Sequence, residues 1–385
     1  MTQNTFFQPS IFFCDAFPAL SSLRPSSTKR LSSSLSPLWY PLIESERLEE
    51  KSIQKIRIQS QEYPLVLYKK KKEGKYILHS DVCPHQGASL SEGWLNEFEH
   101  LQCPYHGFEF CNGMFCRIPN PSKPVPKFVS KYKLSLFPVI ERHGMLFFFP
   151  FPNDNNNNNN NMSTKFQLLR ENLLPFFPPE EEDARFRSIT GSCILDVPCQ
   201  MLCENLLDML HISYVHSFGS RYTPLPFSRE YTQISNYSGR STFYYHPYHM
   251  TISRQVGKVT SVIVENEFHL PTDTITRVIA GNIVKTVFTR SLPISENKTL
   301  LFWKVYRNFW IDPVFPIFTG LGDFLMSFLM KQTIKEDASI LKHVYPSFIH
   351  NNITKIFTPY DITIHNFRKS QKKLEIESKK RYDMI

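Results

Sequence analysis

Two short segments, Cys83-Pro84-His85 and Cys103-Pro104-Tyr105-His106, stand seventeen residues apart, and each sits at the tip of a Pro/Gly loop. Together they offer two thiolates and two imidazoles, a donor set that a Cys₂His₂ zinc site would accept. The pairing argues otherwise. Zinc sites of this kind usually pair Cys with Cys and His with His, whereas here each loop supplies one of each. That mixed pairing suits a [2Fe–2S] cluster in which one iron takes both Cys and the other both His. The eight cysteines (14, 83, 103, 111, 116, 193, 199 and 203) belong to a chain far too large to need a disulfide framework, so some of them are expected to bind metal.

The pattern C-x-H followed by C-x-x-H, with Gly87, Gly93, Gly107-Phe108, Gly113 and Ile118-Pro119 around it, resembles the Rieske domain of Rieske-type non-haem iron oxygenases over about residues 39–150. The resemblance implies that Cys83 and Cys103 bind an inner iron and that His85 and His106 bind an outer, solvent-facing one. Rieske proteins of respiratory and photosynthetic chains carry a further Cys in each loop, forming a disulfide beside the cluster. The corresponding positions here are Gln86 to Ala88 and Tyr105, so that bridge is absent. Cys111 and Cys116 are expected to be small buried fillers.

A second constellation lies in the run from Glu204 to His216, which contains N-x-x-D-x-x-H-x-x-x-x-H. Two imidazoles and a carboxylate on one metal leave positions open, as in the facial triad of Fe(II) sites that use O₂. His211 and His216 are five residues apart, or about 140° on a regular helix. A π-type bulge or a break is therefore expected near Ile212 to Val215. The run resembles the mononuclear-iron motif of the same oxygenases, close to the branch with chlorophyllide and pheophorbide oxygenases and vanillate-type demethylases. By that resemblance His211 and His216 are ligands, and Asp208 carries electrons from the Rieske cluster of a neighbouring subunit. The third ligand comes from a late helix, where Lys335-Glu336-Asp337-Ala338 matches; Asp337 is the expected ligand and Glu336 its rival. Asn205 is expected to shape the pocket, and His246, His249, His343 and His365 to be structural or surface residues.

At 385 residues the chain has room for two domains and a tail, and 41% hydrophobic residues with 33 Phe and 17 Tyr provide for sizeable cores. Seven consecutive Asn, 155 to 161, cannot bury apolar area and mark a spacer. The expected order is a leader (1–38), an all-β Rieske domain (39–150), an Asn-rich spacer (151–164), a catalytic domain (165–371) and a charged tail (372–385). The class is α+β. Strand-like runs between 229 and 307 are flanked by helical stretches at 199–216, 318–343 and 361–378. The resemblance implies a helix-grip (START-like) catalytic domain, with an antiparallel sheet curled around a long helix.

Residues 1–38 hold one acid, Asp15, against Arg24, Lys29 and Arg30 in a Ser-rich run, the composition of an organelle transit peptide. Plastid import is the expectation. The most apolar stretch, Phe309 to Met330, carries Asp312, Asp323, Pro313 and Pro316, which argues against a transmembrane span. A buried helix pair ahead of Asp337 is expected there, with contact to a membrane surface as the other reading. The net charge of +9 does not by itself select nucleic acid, membrane or an acidic protein. Its densest cluster, Lys69 to Lys72 with Lys75, reads as a solvated hairpin tip. Taken together, the resemblance implies a homotrimeric oxygenase that receives electrons from a ferredoxin or flavin reductase and uses O₂ on a hydrophobic small molecule. A tetrapyrrole leads, with sterol, carotenoid and methoxy-aromatic substrates behind, and no nucleic acid is involved. A Rieske electron carrier or redox sensor is the alternative.

Overall fold

The computed structural model describes residues 35–59, 61–118, 133–152, 169–217, 225–246, 261–312, 316–345 and 356–382. Residues 1–34 of the expected leader, the Asn run and His249 lie outside them. The N-terminal part builds three small antiparallel sheets. Strands β1 (Tyr40–Glu44), β9 (Val139–Arg142) and β10 (Met145–Phe148) form one, in the order β1-β10-β9; a short helix α1 (Ser45–Glu50) follows β1. Strands β2 (Ile53–Ile56), β3 (Leu65–Lys70) and β4 (Lys75–Ser80) form the second, and β5 (Trp94–Leu95), β6 (Leu101–Gln102), β7 (Glu109–Cys111) and β8 (Met114–Arg117) the third.

The run Leu65-Val66-Leu67-Tyr68 is buried on both of its faces. Because successive strand side chains point to opposite sides, it feeds two cores at once. Leu65, Leu67 and Leu78 join Tyr40, Leu42, Leu146 and Phe148, whereas Val66, Tyr68 and Ile77 pack with Cys83, Leu90, Leu101 and Cys103. A strand between two cores thus ties the metal loops to the rest of the fold. The Lys-rich segment does form the β3–β4 hairpin, with Gly74 at φ 63°. Its tip is solvated as expected, residues 71–75 all being exposed; Lys70 at the end of β3 is buried and paired with Glu73, and Lys72 Nζ donates to the Glu97 carbonyl at 3.1 Å.

The C-terminal part is organised by a seven-stranded antiparallel sheet in the order β11-β17-β16-β15-β14-β13-β12. The strands are β11 (Arg187–Leu195), β12 (Ser228–Ser235), β13 (Ser238–Tyr245), β14 (Val262–His269), β15 (Asp273–Ala280), β16 (Ile283–Ser295) and β17 (Lys298–Arg307). It is accompanied by the helices α2 (Cys199–Leu207), α3 (Ile212–Val215), α4 (Pro316–Leu341) and α5 (Ile362–Tyr382). One face of the sheet receives α2, α3 and α4. There Val287, Trp303 and Val305 pack with Met201, Leu206, Met330, Ile334 and Ala338, and Phe243, Val264 and Val278 pack with Met209 and Ile212. The other face receives Phe176, Phe177 and Phe186 against Ile275, Phe288 and Tyr306. On that second face the Arg290 guanidinium lies 4.6 Å from the centre of the Phe147 ring and 4.1 Å from that of Phe177. Leu292 enters the first N-terminal core, so the sheet is joined to the β1–β10 layer by apolar as well as cationic contacts.

The expected buried helix pair ahead of Asp337 is instead one uninterrupted helix, α4. Its start is held by Arg307, whose buried guanidinium donates to the Trp310 carbonyl at 2.6 Å, the Thr319 carbonyl at 3.1 Å and Asp323 Oδ1 at 2.6 Å. Helical spacing then sorts its residues. Met326, Met330, Ile334 and Leu341 turn inward, while Phe318, Leu321, Phe324 and Phe328 form an exposed apolar stripe. Among the described residues no helix is long and apolar enough to cross a membrane.

His79 on β4 is fully buried beside the Tyr68 ring, and its Nδ1–H donates to the Ser80 carbonyl at 2.9 Å. Burial pulls its pKa down from 6.5 to about 4. The unfolded chain therefore takes up this proton first, so stability falls as pH drops from about 6.5 towards about 4, by about 3 kcal/mol over the window. His79→Asn keeps an amide donor near Nδ1 but removes the titrating ring. Urea unfolding at pH 7 and pH 4.5 should show an acid-linked loss about 2 kcal/mol smaller in the variant than in the parent.

Candidate metal centres

The two Cys/His loops fold alike. Cys83 N–H donates to the Ala88 carbonyl at 2.8 Å and Gly87 N–H to the Cys83 carbonyl at 2.9 Å. In the second loop Cys103 N–H reaches the Phe108 carbonyl at 2.8 Å and Gly107 N–H the Cys103 carbonyl at 3.0 Å. Each turn closes through a residue at positive φ, 76° at Gly87 and 70° at Gly107, a conformation that glycine alone adopts without strain. The matched turns bury Cys83 and Cys103 and leave His85 exposed and His106 half-exposed. The two imidazoles approach with Nδ1 to Nδ1 at 3.2 Å. Burial pushes the Cys83 thiol up to about 11, so a positive charge beside it is needed to hold the thiolate. Inner thiols and outer imidazoles converge in the arrangement that a [2Fe–2S] cluster with one Cys₂ iron and one His₂ iron requires.

The second centre depends on how α2 ends. Asp208 leaves the helix in an extended conformation (φ −84°, ψ 121°), and its Oδ1 accepts the Leu210 N–H at 2.8 Å. Helix α3 then runs for one turn and ends at His216, again extended (φ −85°, ψ 140°). The expected distortion thus falls at Asp208–Leu210 and at His216, while residues 212–215 are ordinary helix. An Asp that can satisfy a freed backbone donor is what makes the break tolerable.

The break brings the imidazoles together, with His211 Nε2 3.2 Å from His216 Nε2. Asp337 on α4 supplies the third donor: its Oδ1 lies 3.3 Å from His211 Nε2 and 3.5 Å from His216 Nε2. This carboxylate oxygen is buried and makes no hydrogen bond. An anionic oxygen in that position costs several kcal/mol unless a cation or a donor reaches it. The far sides of both rings are fixed. His211 Nδ1–H donates to the Asp208 carbonyl at 2.7 Å, and His216 Nδ1–H to Glu336 Oε2 at 3.0 Å. Both Nε2 lone pairs therefore face Asp337, the second-shell arrangement of a metal site. The adjacent acids have different positions: Asp337 points between the imidazoles and Glu336 stands behind His216.

Burial opposes a proton on His211, but Asp337 and Asp208 together outweigh it and raise the imidazole pKa above its ordinary value. Burial likewise raises Asp208. Asn205, one turn before Asp208, has a buried Nδ2 without a hydrogen-bond partner. Of the remaining histidines, His246 packs on Phe227 and His365 on Phe357.

Sequence reasoning missed a third convergence, in which His100, Glu109 and Cys116 come within reach of one ion. Their donors already engage one another: His100 Nδ1 lies 3.2 Å from Glu109 Oε2, and Cys116 Sγ donates to the Glu109 carbonyl at 3.3 Å. Cys111 and Cys116 are partly exposed and not the buried fillers expected. The β7–β8 register could not be read from the sequence, and it is what joins Cys116 to Glu109. A cleft lined by Trp39, Phe147, Phe176, His269 and Asp273 lies on the opposite face of the large sheet from the His pair and contains none of these residues.

Residues 38–133 match the Rieske [2Fe–2S] domain family. Over 213 residues the chain is 33% identical to pheophorbide a oxygenase, chloroplastic, from Oryza sativa subsp. japonica, covering 53% of this chain and 38% of that protein. It is 32% identical over 178 residues to the oxygenase component of dicamba O-demethylase from Stenotrophomonas maltophilia, 46% of each. The chain thus spans about a third to a half of the length of the curated relatives it matches. The crystal structure of dicamba monooxygenase bound to dicamba superposes with a TM-score of 0.69 over 89% of this chain and 98% of that one, at 22% identity. The chain therefore carries a Rieske [2Fe–2S] domain within the fold of the Rieske oxygenases, with pheophorbide a oxygenase and dicamba O-demethylase among its homologues.

Proposed function

We propose that this protein is an O₂-dependent Rieske non-haem iron oxygenase. Cys83, His85, Cys103 and His106 would hold the cluster, and His211, His216 and Asp337 a mononuclear Fe(II). The observation that carries the reading is the buried Asp337 oxygen, left without a hydrogen bond beside two Nε2 atoms aimed at it. When bound, the cluster supplies single electrons and the open iron activates O₂ for insertion into substrate.

The chain's own residues prepare that chemistry. The Asp208 carbonyl and the Glu336 carboxylate fix the two imidazole tautomers, so no ring has to turn on binding. The hydrogen bond from His211 to Asp208 makes a short covalent-and-hydrogen-bonded path into the site, which supports Asp208 as the residue through which electrons enter from a neighbouring subunit's cluster. Asn205 would shape the pocket from one turn away. Residues 39–150 would serve as the cluster domain and 165–371 as the catalytic domain.

The substrate we propose is a hydrophobic compound of the tetrapyrrole class, on the strength of the kinship with pheophorbide a oxygenase and with chlorophyllide a oxygenase from Arabidopsis thaliana. A ferredoxin or flavin reductase would donate electrons to a homotrimer. The Ser-rich, acid-poor leader and the chloroplastic relatives support a plastid location.

Anaerobic reconstitution of the full chain should give three irons and two labile sulfides per subunit, a Rieske EPR signal on reduction, and an Fe–NO signal that His211→Ala abolishes. Two irons with no nitrosyl signal would instead mark an electron carrier, and zinc without sulfide would sink both readings. Replacing the two adjacent acids separates their roles. Asp337→Ala should lose the mononuclear iron and keep the cluster, whereas Glu336→Ala should keep both sites with iron affinity lowered roughly 10- to 100-fold in an iron titration.

A further inference from the structure

Lys285 lies on β16, in a cross-strand row that reads Phe243, Val264, Val278, Lys285, Arg307. Residues in such a row share one face of the sheet. That face is fixed by its apolar members: Phe243, Val264 and Val278 pack with Met209 and Ile212, which flank His211 in sequence. Two residues further along β16, on the same face, Val287 packs in the cluster that includes Ala338, next to Asp337. Lys285 therefore stands between the contacts of the segment carrying the His pair and those of the helix carrying Asp337.

Its charge is unmatched. Among the described residues no carboxylate or carbonyl reaches the Lys285 ammonium, and burial alone acts on it, pulling its pKa below the ordinary lysine value. The neighbouring cation in the row is answered differently. Arg307 is neutralised by Asp323, which also binds Arg187 at 2.9 Å, so that carboxylate is fully engaged. Yet Lys285 is not sealed in, because part of its surface stays accessible. A desolvated ammonium without a partner, on a residue that is only partly buried, is poised for an anion from outside the chain.

We infer that Lys285 selects the substrate: an apolar molecule bearing a carboxylate, which seats on the Lys285 ammonium between the sheet and the elements carrying His211 and Asp337. The inference rests on the oxygenase reading above and narrows it to acids. An uncharged sterol or carotenoid would leave this cation buried and unpaired, at a cost that a carboxylate removes. A matched pair of probes isolates the charge. 1-Pyrenebutyrate and its methyl ester share a large planar body and differ in one carboxylate.

Fluorescence titration of the iron-loaded full chain should give about tenfold or greater preference for the acid over the ester. Lys285→Met should abolish that preference by weakening the acid alone, and Lys285→Arg should retain it. Cluster absorbance and iron content report whether each variant is folded and loaded. Equal affinity for acid and ester in the parent, binding of neither, or a preference that survives Lys285→Met would overturn the assignment. The Fe–NO signal separates the two readings. An intact signal without acid preference sinks Lys285 alone, and a missing signal in the parent sinks the oxygenase.

Discussion

The candidate mononuclear centre depends on a helix that stops at Asp208 and starts again at Ile212. A continuous helix would place the His211 and His216 side chains about 140° apart, and no single ion could reach both. The stop costs backbone hydrogen bonds, and Asp208 offsets part of that loss twice over: its side chain accepts the Leu210 N–H and its carbonyl accepts the His211 imidazole. One residue thereby ends α2, orients a ring and sets the spacing of two donors. The price of so compact a device is a buried acid whose pKa is raised by its surroundings.

The large sheet keeps the chemistry and the scaffolding apart by strand alternation. Successive residues of β16 and β17 serve opposite faces: Val287 and Val305 meet the site-bearing helices, and Phe288 and Tyr306 meet the aromatic layer formed by Phe176 and Phe177. On the second face Glu180 accepts from Arg277 at 2.5 Å and from Thr286 at 2.7 Å. Ion pairs of this kind are costly to break once desolvated. They fix the sheet from behind the face that carries Lys285 and Arg307.

The cluster loops were legible in the sequence because all their determinants are local: a Cys, a His and a Gly within five residues of one another, twice. The His pair was legible by spacing and resemblance. The position of the helix break was not, since Asp208 is an ordinary helix-surface residue until its partner Leu210 N–H is known. Asp337 was preferred to Glu336 by resemblance alone, because adjacent helical residues diverge by about 100° and packing decides which one faces inward. Lys285 was invisible for a related reason. In a strand of alternating polarity a lysine reads as solvent-facing, and its true face emerges only from the register with Val278 and Arg307. The stretch ahead of Asp337 contains Pro316, Gly320 and Gly322, residues that could have divided it into two helices. Pro316 instead occupies the first position of the helix, where its missing N–H costs nothing, and both glycines lie within it.

Helix α4 joins two dissimilar places. Near its beginning the aromatic stripe of Phe318, Phe324 and Phe328 faces outward, and near its end Asp337 faces the imidazoles. Thirteen residues separate Phe324 from Asp337, about 20 Å of rigid rod. The helix runs unbroken between them. A tilt imposed on the aromatic end by any surface that covers it must appear, scaled by the pivot, as a displacement of the carboxylate, so mechanical load on the exterior of this protein is also load on the coordination geometry of its interior.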